Sequence, residues 1–243
     1  MFTTDNGGST LYGGNNWPLR GLKNTLWEGG IKGIGSIKIP NVANGARDQL
    51  MHVSDIFPTL IDLTGCPISG EDFKKLDGAS QSKMLKENDK SAIDQYLINI
   101  DPKYINHHSD DNRTWTSPFD VSVQAGLRWK NWKLLTGNPE PAGYPSGHIY
   151  PPEWPKESNI PELMARSASN VRLFDIASDP LEMFDQSNDR TDIVEKMLDI
   201  LVQYNSTAVP VLKPKPDPNG DPDKHNGFWE PWVFPQFQFD NQL

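Results

Sequence analysis

The sequence has a single cysteine, Cys66, among its 243 residues. An internal disulfide framework and a cysteine-based zinc site both need more than one thiol, so both are excluded for this chain. Because free cysteine is among the most buried residue types, we expect Cys66 to be a small buried hydrophobic residue. One cysteine leaves the redox compartment open.

Positive charge is also scarce. The chain has 23 Lys and Arg against 32 Asp and Glu, which gives a formal net charge of −9. A nucleic-acid-binding surface needs clustered cations to neutralise phosphates, so the balance argues against nucleic acid as a partner. An anionic small substrate is still allowed, because it needs only a few local cations.

No segment is apolar and long enough to span a membrane, and none has the pattern of a signal peptide. If the natural protein has a targeting signal, we expect it to lie before Met1. Two Asn-x-Ser/Thr sequons, at Asn112 and Asn205, would permit glycosylation in a secretory compartment. Such triplets also arise by chance, so unmodified asparagines are the alternative.

What the chain does contain is 21 prolines, 8 tryptophans and 10 phenylalanines, typical of a loop-rich protein with aromatic cores. A charged connection at 70–92 predicts two parts, residues 1–90 and 91–243. Alternation and periodicity predict an α/β protein with several short strands and two helices. The predicted strands are 1–4, 33–40, 94–101, 121–137 (two strands around Lys130-Asn131) and 170–176, and the predicted helices are 46–65 and 189–205.

Asp5 and Asn6 are the first candidate ligands. Carboxylate and carboxamide oxygens suit calcium or magnesium, and loops that leave a strand at the carboxyl edge of an α/β sheet often carry such sites. Gly7 and Gly8 allow a tight turn and leave room for a bound group. Calcium takes about 6–8 oxygens, so these two side chains cannot complete a site. The alternative is an Asp-Asn-Gly turn without metal.

Arg20, Lys23 and Lys32 form a cation set between glycines. A lysine is a mobile point charge that can reach an anionic oxygen. The alternative is a solvated surface loop. Three other polar features, at His52, 107–111 and 217–223, lack the spacing of a metal site, so we interpret them as a structural histidine and two polar loops.

Several segments together resemble the type I sulfatases, in particular the branch similar to arylsulfatase B, an N-acetylgalactosamine-4-sulfatase. "TTDNGGSTLYGGNNWPLRGLKNTLWEGGIKG" resembles the family's calcium-ligand and lysine segment. "HVSDIFPTLIDLTG" resembles the helix that follows it. "LINIDP", "LRWKNWKLLTG" and "LFDIASDPLE" resemble the C-terminal subdomain in the same order. The resemblance implies the C-terminal part of an alkaline-phosphatase-like α/β fold, with a smaller subdomain containing a short antiparallel sheet and a helix.

The resemblance also implies a sulfuric ester hydrolase that acts on a sulfated saccharide, such as a glycosaminoglycan, or on an aryl sulfate. Asp5 and Asn6 match the second pair of calcium ligands, and Lys23 matches the lysine that contacts the sulfate. Asn16 and Trp17 lie in the matching segment and are candidate substrate-binding residues together with Arg20. The family location implies a lysosomal or secreted protein, and the oligomeric state stays open.

The departures from the family pattern concern the nucleophile, a formylglycine made within a C/S-x-P/A-x-R motif. Cys66 is followed by Pro67, Ile68, Ser69 and Gly70, and no serine fits the motif either. We therefore expect formylglycine only in a preceding N-terminal part, together with the remaining calcium ligands. We expect this chain alone to be inactive, and poorly soluble because a strand edge and an apolar face are left exposed.

Two alternatives remain open from the sequence. One is a non-catalytic sulfatase-like module that binds sulfated glycan through its tryptophans and the Arg20/Lys23 pair. The other is a member of the same superfamily that transfers phosphate. An upstream nucleophile motif would favour the enzyme, and its absence would favour the module.

Overall fold

The structure is a computed structural model, and it describes residues 1–67, 69–106, 112–140, 169–209 and 215–232. Contacts divide the chain into two compact units, Met1–Thr207 and Ala208–Leu243. The sequence-based division at residues 1–90 and 91–243 concerns subdomains of a larger fold and stays a prediction. The predicted polar loop at 107–111 lies outside the described residues.

The elements are short except for one strand and one helix. The strands are β1 (Phe2–Thr3), β2 (Gly35–Ser36), β3 (Gln95–Ile105), β4 (Val123–Trp129), β5 (Trp132–Thr136) and β6 (Val171–Asp175). The helices are α1 (Glu28–Ile31), α2 (Ile56–Thr64), α3 (Gly70–Phe73), α4 (Ser82–Glu87) and α5 (Thr191–Ser206). None of the helices in the described ranges combines the length and the apolar character that a membrane crossing requires.

The centre of the first unit is an antiparallel sheet with the strand order β3-β4-β5-β6. The predicted hairpin around Lys130-Asn131 is confirmed, because Trp129 pairs with Trp132 across the turn. Lys130 adopts a left-handed conformation with φ 53°. A two-residue hairpin turn requires positive φ there, which accounts for this unusual backbone. The mixed α/β class with a short antiparallel sheet and a helix is confirmed.

Side chains alternate across the sheet, so its two faces have different neighbours. Helix α5 covers one face with an apolar stripe at helical spacing. Its N-cap position is occupied by Arg190, whose side chain makes no capping hydrogen bond. The buried residues of this face are Phe119, Ala125, Leu127, Leu134, Val171, Leu173, Val194, Met197, Leu198, Ile200 and Leu201.

The opposite face packs against the N-terminal part of the chain. Leu26 and Trp27 form a second core cluster with Leu135 of β5 and Phe174 of β6. The rings of Trp27 and Phe174 meet edge to face with their centroids 6.0 Å apart, an arrangement that aromatic pairs favour. This contact carries the segment that contains the candidate ligands onto the sheet.

Helix α2 lies in the second half of the helix predicted at 46–65 and confirms that half. Gly65, the last residue of the predicted range 46–65, ends the helix in a left-handed conformation. His52 begins the preceding 3-10 turn, and the Asp55 carboxylate accepts from the His52 backbone N–H at 2.9 Å. Thus His52 has the predicted structural role, and Asp55 takes part in capping.

The apolar side chains of α2 are poorly covered. Phe57 is 53% exposed and Leu60 is 37% exposed. Cys66, just past the helix end, is exposed as well, so the prediction of a buried cysteine is wrong. Its position after the Gly65 cap places it on an outward-facing turn.

The segment 70–92 is more than the surface connection that its charge indicates. Helix α4 buries Met84 and Leu85. Gln81, also buried, donates to the Asp55 carboxylate at 3.1 Å and accepts from the Ala92 backbone N–H at 3.0 Å. This region therefore packs against α2 through satisfied buried polar groups.

The unit Ala208–Leu243 contains two 3-10 turns, Pro218–Gly220 and Pro222–Lys224. Asp217 and Asp221 cap these turns by accepting from the backbone N–H groups two residues on. The carboxylates are thus used in turns, in agreement with the predicted Pro/Asp loop. Across the described residues, no three His, Cys, Asp or Glu side chains gather in a way that could hold a metal ion.

Candidate active site

The segment from Asp5 to Gly33 forms a loop that closes on itself. Thr4 donates its backbone N–H to the Ile34 carbonyl at 2.9 Å, and its hydroxyl accepts from the Ile34 N–H at 2.9 Å. Further into the loop, the Gly7 N–H donates to the Gly30 carbonyl at 2.9 Å. Asp5 and Asn6 therefore sit at the neck of the loop, between two fixed backbone pairings.

The close packing of backbone segments within the loop requires glycine. A Cβ atom added to Gly7 would lie 1.8 Å from the carbonyl oxygen of Gly29. A Cβ atom added to Gly29 would lie 2.5 Å from the carbonyl oxygen of Arg20. Any side chain at these positions would push the backbones apart, so the glycines fix the path that Asp5 and Asn6 follow.

Asn16 holds the loop from inside. Its side-chain oxygen accepts from the Gly8 N–H at 2.7 Å, and its Nδ2 donates to the Gly8 carbonyl at 2.8 Å and to the Gly21 carbonyl at 3.1 Å. Both the oxygen and the nitrogen of this amide thus form hydrogen bonds with backbone groups. Asn16, a candidate substrate-binding residue from the sequence, has a structural role in this geometry, and its contact with substrate stays a prediction.

Lys23 is brought beside this backbone. Its N–H donates to the Gly8 carbonyl at 3.1 Å, which links it to the turn that follows Asp5 and Asn6. Its side chain is exposed. The structure thus brings the Lys23 backbone next to the turn that follows Asp5 and Asn6.

The two candidate calcium ligands keep oxygens available. The exposed Asp5 accepts from the Asn6 N–H at 2.9 Å through one carboxylate oxygen. Asn6 donates its Nδ2 to the Gly7 carbonyl at 2.7 Å, and this orients the amide with its oxygen turned away from that contact. A carboxylate and an amide oxygen fit a hard divalent cation.

Trp17 and Arg20 occupy different environments. Trp17 is partly exposed, and its backbone N–H donates to the Asn15 side chain at 2.9 Å. Arg20 is only 6% exposed. Its guanidinium lies 3.5 Å from the centroid of the Trp27 ring and donates to the Glu182 carbonyl at 3.4 Å. These contacts give Arg20 a structural role, and its contact with substrate stays a prediction.

Burial lowers the pKa of Arg20 to about 10, against the opposing effect of Glu182 and Glu140. The same region holds Trp27, whose indole N–H donates to the Glu140 carboxylate at 3.0 Å. Arg20 stays protonated at neutral pH, and its charge strengthens the docking of the loop on the sheet.

A buried ionic cluster below the loop was not predicted. Lys133 of β5 is fully buried, and its Nζ lies 3.0 Å from the Glu28 carboxylate and 2.6 Å from the Glu182 carboxylate. Glu182 also accepts from the Glu28 backbone N–H at 2.7 Å. The only sequence signal for this cluster is the placement of Lys133 on an inward-facing strand position.

The two carboxylates of the cluster respond differently to their surroundings. Burial raises the pKa of Glu182, and the charge of Lys133 offsets this only in part. Burial opposes ionisation of Glu28 too, but Lys133 and Arg128 together outweigh it and lower the pKa of Glu28. Glu28 is therefore the firmly charged partner of Lys133, and it lies just behind the loop at the start of α1.

Both sequon asparagines are exposed. Asn112 follows the undescribed residues 107–111, and Asn205 lies in the last turn of α5. Their exposure leaves both side chains accessible to modification.

No protein-family model matches the chain. The chain is similar to arylsulfatase J of Mus musculus, with 36% identity over 237 residues that cover 96% of this chain and 39% of the relative. It is similar to the human steryl-sulfatase, with 28% identity over 132 residues that cover 49% of this chain and 22% of the relative. The chain thus spans about two fifths or less of the length of these relatives.

Among solved structures, the chain resembles the crystal structure of a protein called Ps i-CgsB with a TM-score of 0.54 and 20% identity, over 84% of this chain and 35% of that one. Ps i-CgsB has also been solved in complex with k-i-k-neocarrahexaose. The sequence relatives carry sulfatase names, and the structural likeness shows a shared fold. The chain therefore belongs to the sulfatase family.

Proposed function

We propose that this chain supplies part of a sulfatase active site and that the whole protein hydrolyses sulfate esters of sulfated sugars or glycosaminoglycans. The observation that carries the proposal is the hydrogen bond between Lys23 and Gly8, within a loop that bears Asp5 and Asn6. This loop is the part of the chain that resembles the calcium and sulfate segment of the family. The expected arylsulfatase B-like specificity and the aryl sulfate substrates are part of the same proposal.

Asp5 and Asn6 would hold a calcium ion together with ligands from elsewhere in the whole protein. Two oxygen donors leave most of a calcium coordination shell to be filled. When bound, the ion would neutralise charge on the sulfate group. This chain contributes a carboxylate and an amide oxygen on a loop whose path is fixed by glycine contacts and by the Asn16 side chain.

Lys23 would bind a sulfate oxygen through its ammonium group. A cation fixed beside the sulfate stabilises the negative charge that develops as the ester bond breaks, without a proton transfer. The lysine backbone is tied to Gly8, so its position depends on the same loop that bears Asp5 and Asn6. Trp17, partly exposed nearby in sequence, would line the sugar side of the pocket.

The nucleophile is expected to be a formylglycine from a C/S-x-P/A-x-R motif outside these 243 residues, because no cysteine or serine here fits that motif. The 243-residue chain alone should therefore be inactive. The exposed Asn112 and Asn205 support a proposed route through the secretory pathway to the lysosome or the exterior.

The test compares the isolated chain with the longer protein that its gene encodes. Para-nitrophenyl sulfate turnover is expected only for the longer protein, and para-nitrophenyl phosphate should be a poor substrate for it. Calcium-dependent turnover by the isolated chain would contradict the assignment of the nucleophile. A preference for the phosphate would favour the phosphate-transferring alternative, and a longer protein that binds sulfated sugar without turnover would favour the binding module.

A further inference from the structure

The α5 face of the sheet carries a second cationic surface, remote in the fold from the loop described above. Its centre is the cross-strand pair Trp129 and Trp132, beside the hairpin turn. Both rings belong to the α5 face, where they pack at the edge of the apolar core. Lys133, one residue further along β5, points to the opposite face. The sheet therefore separates this surface from the candidate active site.

Two ammonium groups converge on one of these rings. The Nζ atoms of Lys130 and Lys196 lie 5.0 Å and 4.3 Å from the centroid of the Trp129 ring. Next to them, the Arg190 guanidinium lies 5.1 Å from the centroid of the Trp132 ring. Like charges repel, so bringing two ammoniums to one ring has a cost that the ring quadrupole offsets only in part.

The two lysines lack a counter-charge among the described residues. Arg190 pairs with Asp192 at 3.0 Å, and the Glu195 carboxylate accepts from Thr116 and Ser117. Within the described ranges neither Lys130 nor Lys196 forms an ion pair. These two acids of α5 are thus engaged elsewhere, and the lysines, without an ion pair in the described ranges, are left available for an external anion.

The position of Lys130 adds a separate observation. Its left-handed backbone suits Asn or Gly, and a lysine there costs about 1 kcal/mol or more. The turn is anchored on both sides, because the Lys130 N–H donates to the Asp94 carbonyl at 2.6 Å and the Asn131 carbonyl accepts from the Ile176 N–H at 2.9 Å. The chain therefore fixes the backbone that bears this cation, at a point where a neutral residue would suit the backbone better.

We propose that Trp129, Lys130 and Lys196, with Trp132 and Arg190 beside them, form a secondary binding surface for a sulfated oligosaccharide. The lysines would bind a sulfate group, and the indole edges would pack against the apolar C–H face of a sugar ring. The class of ligand rests on the proposed function. A polymeric substrate could then contact the enzyme on a surface other than the active site.

Nucleic acid is disfavoured as the occupant. The chain has a net charge of −9, and this surface has only two unpaired cations. A phosphodiester chain needs many aligned charges for tight binding, whereas a single sulfate group needs one or two. A sulfate contact made by one or two cations also predicts binding that weakens with salt, with a shallower slope than a phosphodiester chain would give.

The test measures binding of a chondroitin sulfate hexasaccharide to the full chain at low salt by calorimetry. The variant is Lys130→Asn with Lys196→Gln, because Asn suits the left-handed turn and the fold should be unaffected. We expect affinity to fall about tenfold, as for loss of one charge-assisted contact. The matched control, Lys74→Gln with Lys75→Gln, removes the same charge from lysines already paired with Glu71 and Asp72, and should change affinity less than twofold.

Three outcomes would overturn the proposal: equal effects of the two double variants, equal binding of the unsulfated hexasaccharide, or complete loss of binding in Lys23→Ala. The proposed function fails separately, through absent sulfate turnover by the longer protein. Circular dichroism of the double variant checks that the fold is retained. If it is not retained, Lys196→Gln alone should still weaken binding severalfold, and no effect would contradict the proposal.

Discussion

The two faces of the four-stranded sheet are covered by different kinds of contact. Helix α5 covers one face through side chains such as Met197, Leu198 and Leu201, all fully buried and apolar. The loop that bears the candidate ligands covers the other face through a small aromatic cluster and the Lys133 ion pairs. Apolar contacts are tolerant of small shifts, whereas buried ion pairs are directional. The ion pairs therefore hold the loop in one orientation, as a binding site requires.

Breaking the ionic cluster should have the largest effect. Lys133→Met leaves Glu28 and Glu182 buried without their cation, and we expect a loss of about 3–5 kcal/mol in the free energy of unfolding. Lys103→Met, at an exposed site on β3, is the control and should change it by less than about 0.5 kcal/mol. The measurement is hydrogen exchange of the β5 amides. A Lys133→Met protein as protected as the control would refute the role of the cluster.

Removing core volume under α5 should have a comparable or slightly smaller effect. Leu198→Ala deletes a fully buried side chain, and we expect a loss of about 2–5 kcal/mol. Phe57→Ala removes a larger side chain that is 53% exposed on α2, and should cost much less. Urea denaturation followed by tryptophan fluorescence compares the two. Equal losses would mean that α2 is covered in solution, for example in a dimer.

Disturbing the glycine contact in the loop should have the next largest effect on stability. Gly7→Ala places a Cβ atom against the Gly29 carbonyl, so we expect a loss of about 1–3 kcal/mol, confined to the loop. Gly35→Ala is the matched control, because a Cβ atom there meets no atom within 4 Å. Exchange rates of amides in residues 5–34 report the change. If both variants behave alike, the close approach at the neck of the loop is incorrect.

The smallest expected effect is the pH dependence of the packing around two histidines in different surroundings. Burial lowers the pKa of His52, which stacks on Tyr96 with the ring centroids 4.8 Å apart. The Asn219 carbonyl and the Glu230 carboxylate raise the pKa of His225 in the other unit. Since the unfolded state holds a proton on His52 more readily, packing around His52 should weaken as pH falls through 6.5 and below. The His225 contacts should instead weaken as pH rises above 6.5.

Nuclear magnetic resonance titration of the ring protons measures both histidines in one sample. We expect the pKa of His52 to lie below, and the pKa of His225 to lie above, the ordinary value for histidine. Equal pKa values of the two rings in the parent protein would contradict the burial of His52.

The sequence predicted what depends on local pattern. The hairpin around Lys130-Asn131 and helix α5 follow from alternation and from apolar spacing, which neighbouring residues alone determine. The apolar face of α5 packs as the spacing indicated. The predicted helix 46–65 ends at Gly65 in the structure, because a left-handed cap is a local requirement that glycine meets.

What the sequence could not predict depends on residues far apart in the chain. Glu28, Lys133 and Glu182 meet only because the loop and the turn after β6 both pack against β5. Arg20 was interpreted from its glycine-rich neighbourhood, yet its guanidinium packs on Trp27 inside the protein. Such pairings depend on tertiary packing. The sequence pattern of a cation among glycines is the same whether the cation lines a pocket or packs in a core. The calcium and substrate roles stay predictions.

The central claim is that the Asp5 to Lys23 loop is part of a sulfate site, and turnover of para-nitrophenyl sulfate by the longer protein tests it most directly. Lys23→Ala should lower kcat by about 10²–10³-fold, the loss typical of one group that stabilises developing charge. Lys38→Ala is the control, because Lys38 is exposed outside the loop, and should keep kcat within about threefold of the parent value. Unchanged turnover in Lys23→Ala would contradict the claim.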